Sequence, residues 1–270
     1  MNTKEIQFGE HLLRIQETKD GFVGIVVGDS ANKLQASTEG ELISALQTKV
    51  RKNHSNFIGY SGARERFLQL FADGFSDAKY IGDKYSKTGE RFYKWQMVER
   101  VNAEFPIEGW RELEQPGETS LRLFRGINLI DPYTKTDLAR VLRGENAVDL
   151  LEICTEFAQE NIASACGKLS AKFKSKNLAK WPVITFLPFF WKPNNHFFLK
   201  PDFTKKFAER VGHKFQYEYD STPNPDTYYS LLSMVDETKE MIADLAPKSG
   251  LDNIDIHSFM WSVMNYDDSH

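Results

Sequence analysis

One set of residues whose types and spacing suit chemistry is Asp226, Glu237 and Lys239, which matches the carboxylate–lysine pattern of metal-dependent nucleases. In such a site the two carboxylates hold Mg²⁺ and the lysine steadies the attacking water. Those catalytic residues normally lie on adjacent strands, whereas Asp226 resembles the N-cap of a long helix. The pattern therefore supports a metal-dependent phosphodiesterase or nuclease as an alternative hypothesis, and Mg²⁺ is a cofactor only under that alternative.

Positive charge is concentrated in residues 161–201, a stretch without Asp or Glu in a chain whose net charge is −4. The lysines of this stretch are Lys168, Lys172, Lys174, Lys176, Lys180, Lys192 and Lys200. Four of them recur every four residues, which stacks them on one helix face at a cost of roughly a few tenths of a kcal/mol per pair. Either an anionic partner binds this ridge, or it is neutralised by the acidic ladder on the preceding helix, formed by Glu152, Glu156 and Glu160 with Asp149 one turn earlier.

The same stretch contains the aromatic run WPVITFLPFFWKPNNHFFLKP, residues 181–201. Aromatic rings beside lysines suit single-stranded nucleic acid, because bases stack on rings and phosphates need counter-charges. Residues 183–190, however, are almost continuously apolar, which is typical of a strand buried on both faces. We therefore expect a core strand there, and a basic rim formed by Trp191, Lys192, His196 and Lys200.

Metal and redox sites are poorly supported. The six histidines are scattered, and Cys154 and Cys166 match no metal or redox spacing, so we expect no metal and two buried, reduced thiols. Asp83 with Glu90 and Lys94 forms a second carboxylate–lysine pattern that is even less specific. The composition, with 41% apolar and 27% charged residues and no secretory signal or membrane-spanning run, predicts a cytoplasmic globular protein without a membrane partner.

The order of elements predicts an α+β protein. The runs EIQFGEHLLRIQET and GFVGIVVGDS alternate like strands around the turn Lys19-Asp20-Gly21, and NKLQAS is a candidate third strand. Thr38 and Glu41 form a capping box that starts a helix. Helices then dominate, with a further strand expected in KFQYEYD. We predict a small N-terminal antiparallel β unit with a helix, residues 1–55, and a larger helix-rich body containing a few strands, residues 56–270, with an internal boundary near 107–118.

The last third of the chain, through HFFLKPDFTKKFAERVG and DNIDIHSFMWSV, resembles the closing block of a family of uncharacterised bacterial proteins. The resemblance implies a bacterial intracellular origin and implies that Lys200, Pro201 and Trp261 belong to one structural unit. It transfers no activity to any residue. His257, close to Asp255 in this block, is expected to be a hydrogen-bonded packing residue.

The charge pattern favours a non-catalytic binding or accessory protein, and the resemblance implies that it belongs to the bacterial cytoplasm. Its basic region 161–201 would engage nucleic acid or another acidic partner, such as an acidic protein. Besides the nuclease hypothesis, a protein–protein adaptor is the remaining alternative. In that case the N-terminal sheet would offer an edge to a partner strand.

Overall fold

A computed structural model of the protein describes residues 3–8, 11–27, 33–52, 59–82 and 89–266. A four-stranded antiparallel sheet lies at the N-terminal end of the described chain. Its strands pair in chain order. They are β1 Thr3–Phe8, β2 His11–Thr18, β3 Gly21–Val26 and β4 Leu34–Ala36.

The predicted hairpin between β2 and β3 is confirmed, with Thr18 opposite Gly21. Gly21 has a φ of +122°, and a Cβ at this position would lie 2.6 Å from the carbonyl oxygen of Ala36, so only glycine fits. The run predicted as one strand before this turn forms two, β1 and β2, with Ile6 opposite Leu13. Residues 9–10, which connect them, lie outside the described residues. Alternation continues with the same period on both sides of such a short connection, which is why the pattern alone did not separate the strands.

Helix α1, Glu39–Lys52, covers one face of the sheet. Its predicted capping box is confirmed: the Glu41 amide donates to Thr38 Oγ1, and the Thr38 amide donates to the Glu41 carboxylate, both at 3.2 Å. The helix and the sheet bury a small apolar core built on Leu13, Ile15, Val26, Leu42 and Leu46. This core shares no residue with the much larger core of the helical body.

The described part of the body is helical. Its helices are α2 Gly59–Leu70, α3 Ala78–Ile81, α4 Glu90–Glu104, α5 Pro116–Arg125, α6 Pro132–Leu142, α7 Ala147–Ala158, α8 Ile162–Phe173, α9 Trp181–Trp191, α10 Pro201–Val211, α11 Phe215–Glu218, α12 Pro225–Met241 and α13 Asn253–Asn265. Five of them carry proline in the first turn. Proline is tolerated there because an N–H group at this position would have no hydrogen-bond acceptor within the helix.

The strand predicted at residues 183–190 is wrong, because this segment is helix α9. Every residue from Val183 to Trp191 is buried, so the sequence shows no amphipathic period that could distinguish a buried helix from a buried strand. Pro182 lies in the first turn, and Pro188 lies inside the helix, where it cannot donate to the carbonyl of Ile184. The helix packs against α4 and α7 at the centre of the body.

The strand predicted in KFQYEYD is also wrong, since residues 215–218 form the short helix α11. The α+β fold class is confirmed, and the strands of the described residues all lie in the N-terminal sheet. The divisions at residues 55/56 and 107–118 stay predictions. Residues 53–58 lie outside the described residues, and Trp110, within the second segment, is buried in the main core, where it donates to Thr155 Oγ1 at 3.0 Å.

Helix α13 connects the elements that matter for the candidate site. It packs against α2, α4, α10 and α12, while α4 also contacts α5 and α9. Side chains of α4, residues 126–128 and Trp261 of α13 line one pocket, and Lys200, at the start of α10, contacts Trp261. Within the described ranges, no helix combines the length and the apolar character needed to cross a membrane.

Candidate functional site

The predicted facing of the acidic and basic ladders is confirmed for two lysines. Lys168 Nζ lies 2.8 Å from the Glu156 carboxylate, and Lys172 Nζ lies 2.8 Å from Asp149. Burial alone would raise the pKa of Glu156, but hydrogen bonds from Lys168 and Ser164 bring it below the ordinary value. Both lysines thus have partners inside the protein, which weakens their case as an anion-binding ridge.

Glu152 and the lysines at the end of α8 depart from the ladder. Glu152 accepts from Arg111 Nε at 2.7 Å rather than from a lysine. Lys174 is exposed in the turn that follows α8, and Lys176 lies with its ammonium 5.3 Å from the ring centre of Phe173. These two lysines remain accessible cations, at the end of α8.

Two other predicted residues are in the core instead of on an exposed rim. Trp191 is 6% exposed and donates its indole N–H to the carbonyl of Phe105 at 2.7 Å. His196 is 2% exposed, with its ring nitrogens 3.2 Å from the Tyr228 hydroxyl and 3.1 Å from the carbonyl of Ala158. Burial lowers the pKa of His196, so its imidazole is neutral at pH 7. For Trp191 the cause is that α9 continues through this residue, and every residue of this helix from Val183 to Trp191 is buried.

The structure does not bring Asp226, Glu237 and Lys239 together. All three lie on α12, where eleven residues separate the carboxylates by roughly 16 Å along the axis, too far to share one ion. Lys239 contacts Asp236 at 3.6 Å, and Asn224 is the N-cap instead of Asp226. Among the described residues, no group of three or more His, Cys, Asp or Glu side chains is placed to hold a metal ion.

The predicted lysines Lys180 and Lys200 meet two cations that the sequence did not single out. Lys180 donates to Thr134 Oγ1 at 3.3 Å, and Lys135, on the same turn of α6, donates to the carbonyl of Ile127 at 3.0 Å. The pKa of Lys135 is lowered by burial and then by repulsion from Arg125, with a further contribution from Lys200. We call Arg125, Lys135, Lys180 and Lys200 the basic cluster; it surrounds the α5–α6 connection.

Asp131 is a carboxylate that faces Lys135 and Lys180 from this connection. Burial would raise the pKa of Asp131, but hydrogen bonds from Thr134 and the charge of Lys180 lower it. Its side chain also caps α6 by accepting from the Thr134 amide at 2.9 Å. Glu118, whose main partner is Arg143, is a second carboxylate that interacts with Arg125. Both carboxylates have other partners, so they only partly balance the four cations.

A pocket of about 360 Å³ adjoins the basic cluster, and none of the described residues that line it is acidic. The lining residues are Tyr93, Gln96, Met97, Arg100, Gly126, Ile127, Asn128 and Trp261. Two contacts join pocket and cluster: the Lys200 ammonium lies 5.3 Å from the ring centre of Trp261, and Lys135 donates to the carbonyl of Ile127. We call this the Trp261 pocket.

The Trp261 pocket could not be predicted from the sequence, because its lining residues come from α4, from residues 126–128 and from α13. No local spacing links segments so far apart. The closest signal was the resemblance, which implied that Lys200 and Trp261 belong to one unit, and these two side chains are indeed in contact.

Behind the pocket lies a buried ionic network that links the starts of α4 and α13. Lys94 is fully buried, pairs with the Glu90 carboxylate and donates to Ser258 Oγ at 2.9 Å. Arg91 pairs with Asp252 at 2.7 Å. Asp83, the third residue of the second carboxylate–lysine pattern, lies outside the described residues. Because Lys94 and Glu90 neutralise each other away from solvent, they form a structural contact and not an open metal site.

Comparisons with protein-family models, curated proteins and solved structures give no match to this chain. The functional assignment consequently depends on the geometry of the basic cluster and the Trp261 pocket.

Proposed function

We propose that the protein is a non-catalytic nucleic-acid-binding protein of the bacterial cytoplasm, and that the basic cluster contacts the phosphates. The observation that carries the proposal is that Arg125, Lys135, Lys180 and Lys200 lie around the α5–α6 connection, with Asp131 among them, beside a pocket whose described lining contains no acid. The location fits the free, buried thiols of Cys154 and Cys166.

The energetics of Lys135 support an anionic partner. This side chain is half-buried, and its pKa is lowered by burial and by repulsion from Arg125 and Lys200. An arrangement of like charges that are partly withdrawn from water is unfavourable in isolation. A phosphate bound between these cations would offset their mutual repulsion. The relief of this repulsion would add to the free energy of binding.

The charge distribution also limits the kind of binding. The net charge of −4 favours a local contact over a surface that is basic throughout. If all four cations contact phosphates of a single strand, log K should fall with log salt concentration with a slope of about −3. The expected contact is therefore short and depends on salt.

We expect Lys180→Gln combined with Lys200→Gln to weaken nucleic-acid binding about 10-fold or more at low salt and to reduce the salt slope by about 1.4. Glutamine keeps much of each side chain's length while removing the charge. Fluorescence anisotropy with labelled DNA and RNA oligonucleotides, titrated at several salt concentrations, measures both quantities.

The matched control is Lys174→Gln combined with Lys176→Gln, which makes the same change in net charge at the end of α8. This control should retain most of the affinity. Loss in the control with none in the cluster variant would move the interface to α8, and absence of binding in the unmodified protein would refute the proposal.

A further inference from the structure

We propose that the Trp261 pocket is a subsite for one unpaired base, so that the protein prefers single-stranded nucleic acid to duplex. This inference rests on the proposed function and specifies the class of nucleic acid. It follows from the aromatic and amide groups that lie beside the basic cluster.

The side chains of the pocket suit a nucleic-acid base, which has flat faces for stacking and polar edges for hydrogen bonding. Tyr93 from α4 and Trp261 from α13 supply aromatic surface, while the amides of Gln96 and Asn128 can donate to and accept from base edges. Its volume of about 360 Å³ is at the lower end of the usual range for small-ligand sites, roughly 300–1,000 Å³. The space thus suits a single nucleotide unit.

Neighbouring side chains hold the Trp261 ring in place. The ring of Phe203 packs nearly perpendicular to it, at 87° and 5.5 Å between ring centres, and the Lys200 ammonium lies 5.3 Å from the indole centre. A fixed aromatic ring loses little conformational entropy when a base stacks on it. Because Lys200 contacts the same indole, a base at Trp261 brings its own phosphate close to a cation.

The Tyr93 ring, which also lines the pocket, is supported from inside the protein. The Lys94 ammonium lies 4.8 Å from the ring centre of Tyr93, and Lys94 is fully buried, so it contacts this ring from the core. The Tyr93 hydroxyl lies 3.4 Å from the Glu90 carboxylate. Both aromatic walls therefore have supporting contacts before any ligand binds.

These features select single strands on chemical grounds. In a duplex the bases are paired and stacked on one another, so their faces are unavailable to a protein ring, whereas an unpaired base can turn outward and stack. Phosphates are available in both forms. The basic cluster alone would bind either form. The preference for single strands would come from the Trp261 pocket.

The test compares Trp261→Leu with Trp95→Leu. Trp95 is 37% exposed on α4, next to Arg91, and is a matched control outside the pocket lining. We expect Trp261→Leu to weaken binding of an oligothymidine by about 10-fold, within the range for loss of one stacked base, and to leave duplex binding unchanged. Trp95→Leu should behave like the unmodified protein in both assays.

Two further measurements separate stacking from charge and from damage to the fold. Trp261→Phe keeps a ring and should retain most of the single-strand affinity, while circular dichroism and thermal melting monitor folding of each variant. Heparin, a linear polyanion without bases, should bind the Trp261→Leu variant as well as it binds the unmodified protein.

The outcomes distinguish this inference from the proposed function. Equal affinity for single strand and duplex, unaffected by Trp261→Leu but weakened by the Lys180/Lys200 variant, would overturn the base subsite and leave the phosphate contact standing. Absence of binding to either form would overturn both.

Discussion

Replacement of Lys94 by methionine is expected to lower the free energy of unfolding by about 3–5 kcal/mol. Methionine resembles the lysine stem in shape, so the cavity term is small, but the Glu90 carboxylate would be left 5% exposed without its cation. A buried charge without a partner is among the most unfavourable groups that a core can contain. The Tyr266 hydroxyl, which contacts Glu90, cannot replace a full positive charge.

The matched variant removes both charges. Glu90→Gln combined with Lys94→Met should lie within about 1 kcal/mol of the unmodified protein, because no buried charge is left without a partner. Glu90→Gln alone should cost less than Lys94→Met. Burial already lowers the pKa of Lys94 while Glu90 opposes the shift, so without Glu90 this lysine can become neutral.

Equilibrium denaturation in urea measures these differences, with the m-value as the check that the transition itself is unchanged. A loss below about 1 kcal/mol for Lys94→Met would show that water reaches Glu90 in the folded protein. A loss in the double variant equal to the sum of the two single losses would show that the two charges are not coupled.

The ionic network also explains why the Trp261 pocket can have fixed walls. Tyr80 donates to Asp255 at 2.6 Å, and Arg91 pairs with both Asp252 and Asp255, so α3, α4 and the start of α13 are joined. Burial, followed by repulsion from Asp252, raises the pKa of Asp255, whereas Arg91 and Tyr80 stabilise its charge. The two helices that carry the aromatic walls are therefore connected by charge as well as by apolar packing.

Local patterns in the sequence were sufficient for the N-terminal sheet and α1. Strand alternation, the turn at Gly21 and the capping box of Thr38 and Glu41 each depend on residues within a few positions of one another. Such contacts form with little dependence on the rest of the chain. The structure accordingly confirms the hairpin and the capping box, although the first predicted strand is two strands, β1 and β2.

Sequence patterns did not predict the structure of a segment that is buried on all sides. They also did not identify the partners of side chains that contact distant parts of the chain. Helix α9 is buried on all sides, so its apolar residues show neither the period of a helix nor that of a strand. The lysines looked equivalent in sequence, yet Lys168 has an acidic partner from the preceding helix while Lys200 contacts Trp261 from α13. Only tertiary packing decides which cations remain available to a ligand.

The environment of His257 also depends on residues that are distant in the sequence, and its burial has a large effect on stability. It is a packing residue, as expected, but neither ring nitrogen has a hydrogen-bond partner among the described residues. The rings of Phe189, Phe197, Phe198 and Phe203 lie 5.1 to 5.9 Å from it, centre to centre. Burial, together with the charges of Lys94 and Lys200, lowers its pKa well below 6.5, so the folded protein holds it neutral.

The free energy of unfolding should consequently decrease as the pH falls below 6.5. The unfolded chain binds a proton at His257 near pH 6.5, whereas the folded chain does not until the pH reaches the much lower folded pKa. In that window the free energy of unfolding drops by up to about 1.4 kcal/mol per pH unit for this group. His196 and His213, whose pKa values burial also lowers, act in the same direction.

We expect His257→Leu to reduce this slope by about 1.4 kcal/mol per pH unit between pH 6.5 and 5, with the slopes of His196 and His213 remaining. At pH 7.5 the variant should be at least as stable as the unmodified protein, because it removes two buried nitrogens that lack partners. Phe203→Leu, which alters the same packing without a titratable group, should lower stability equally at each pH. Urea denaturation of the three proteins from pH 7.5 to 5 provides the comparison. An unchanged slope in His257→Leu would mean that this imidazole takes up a proton as readily inside its cage of phenylalanine rings as in water.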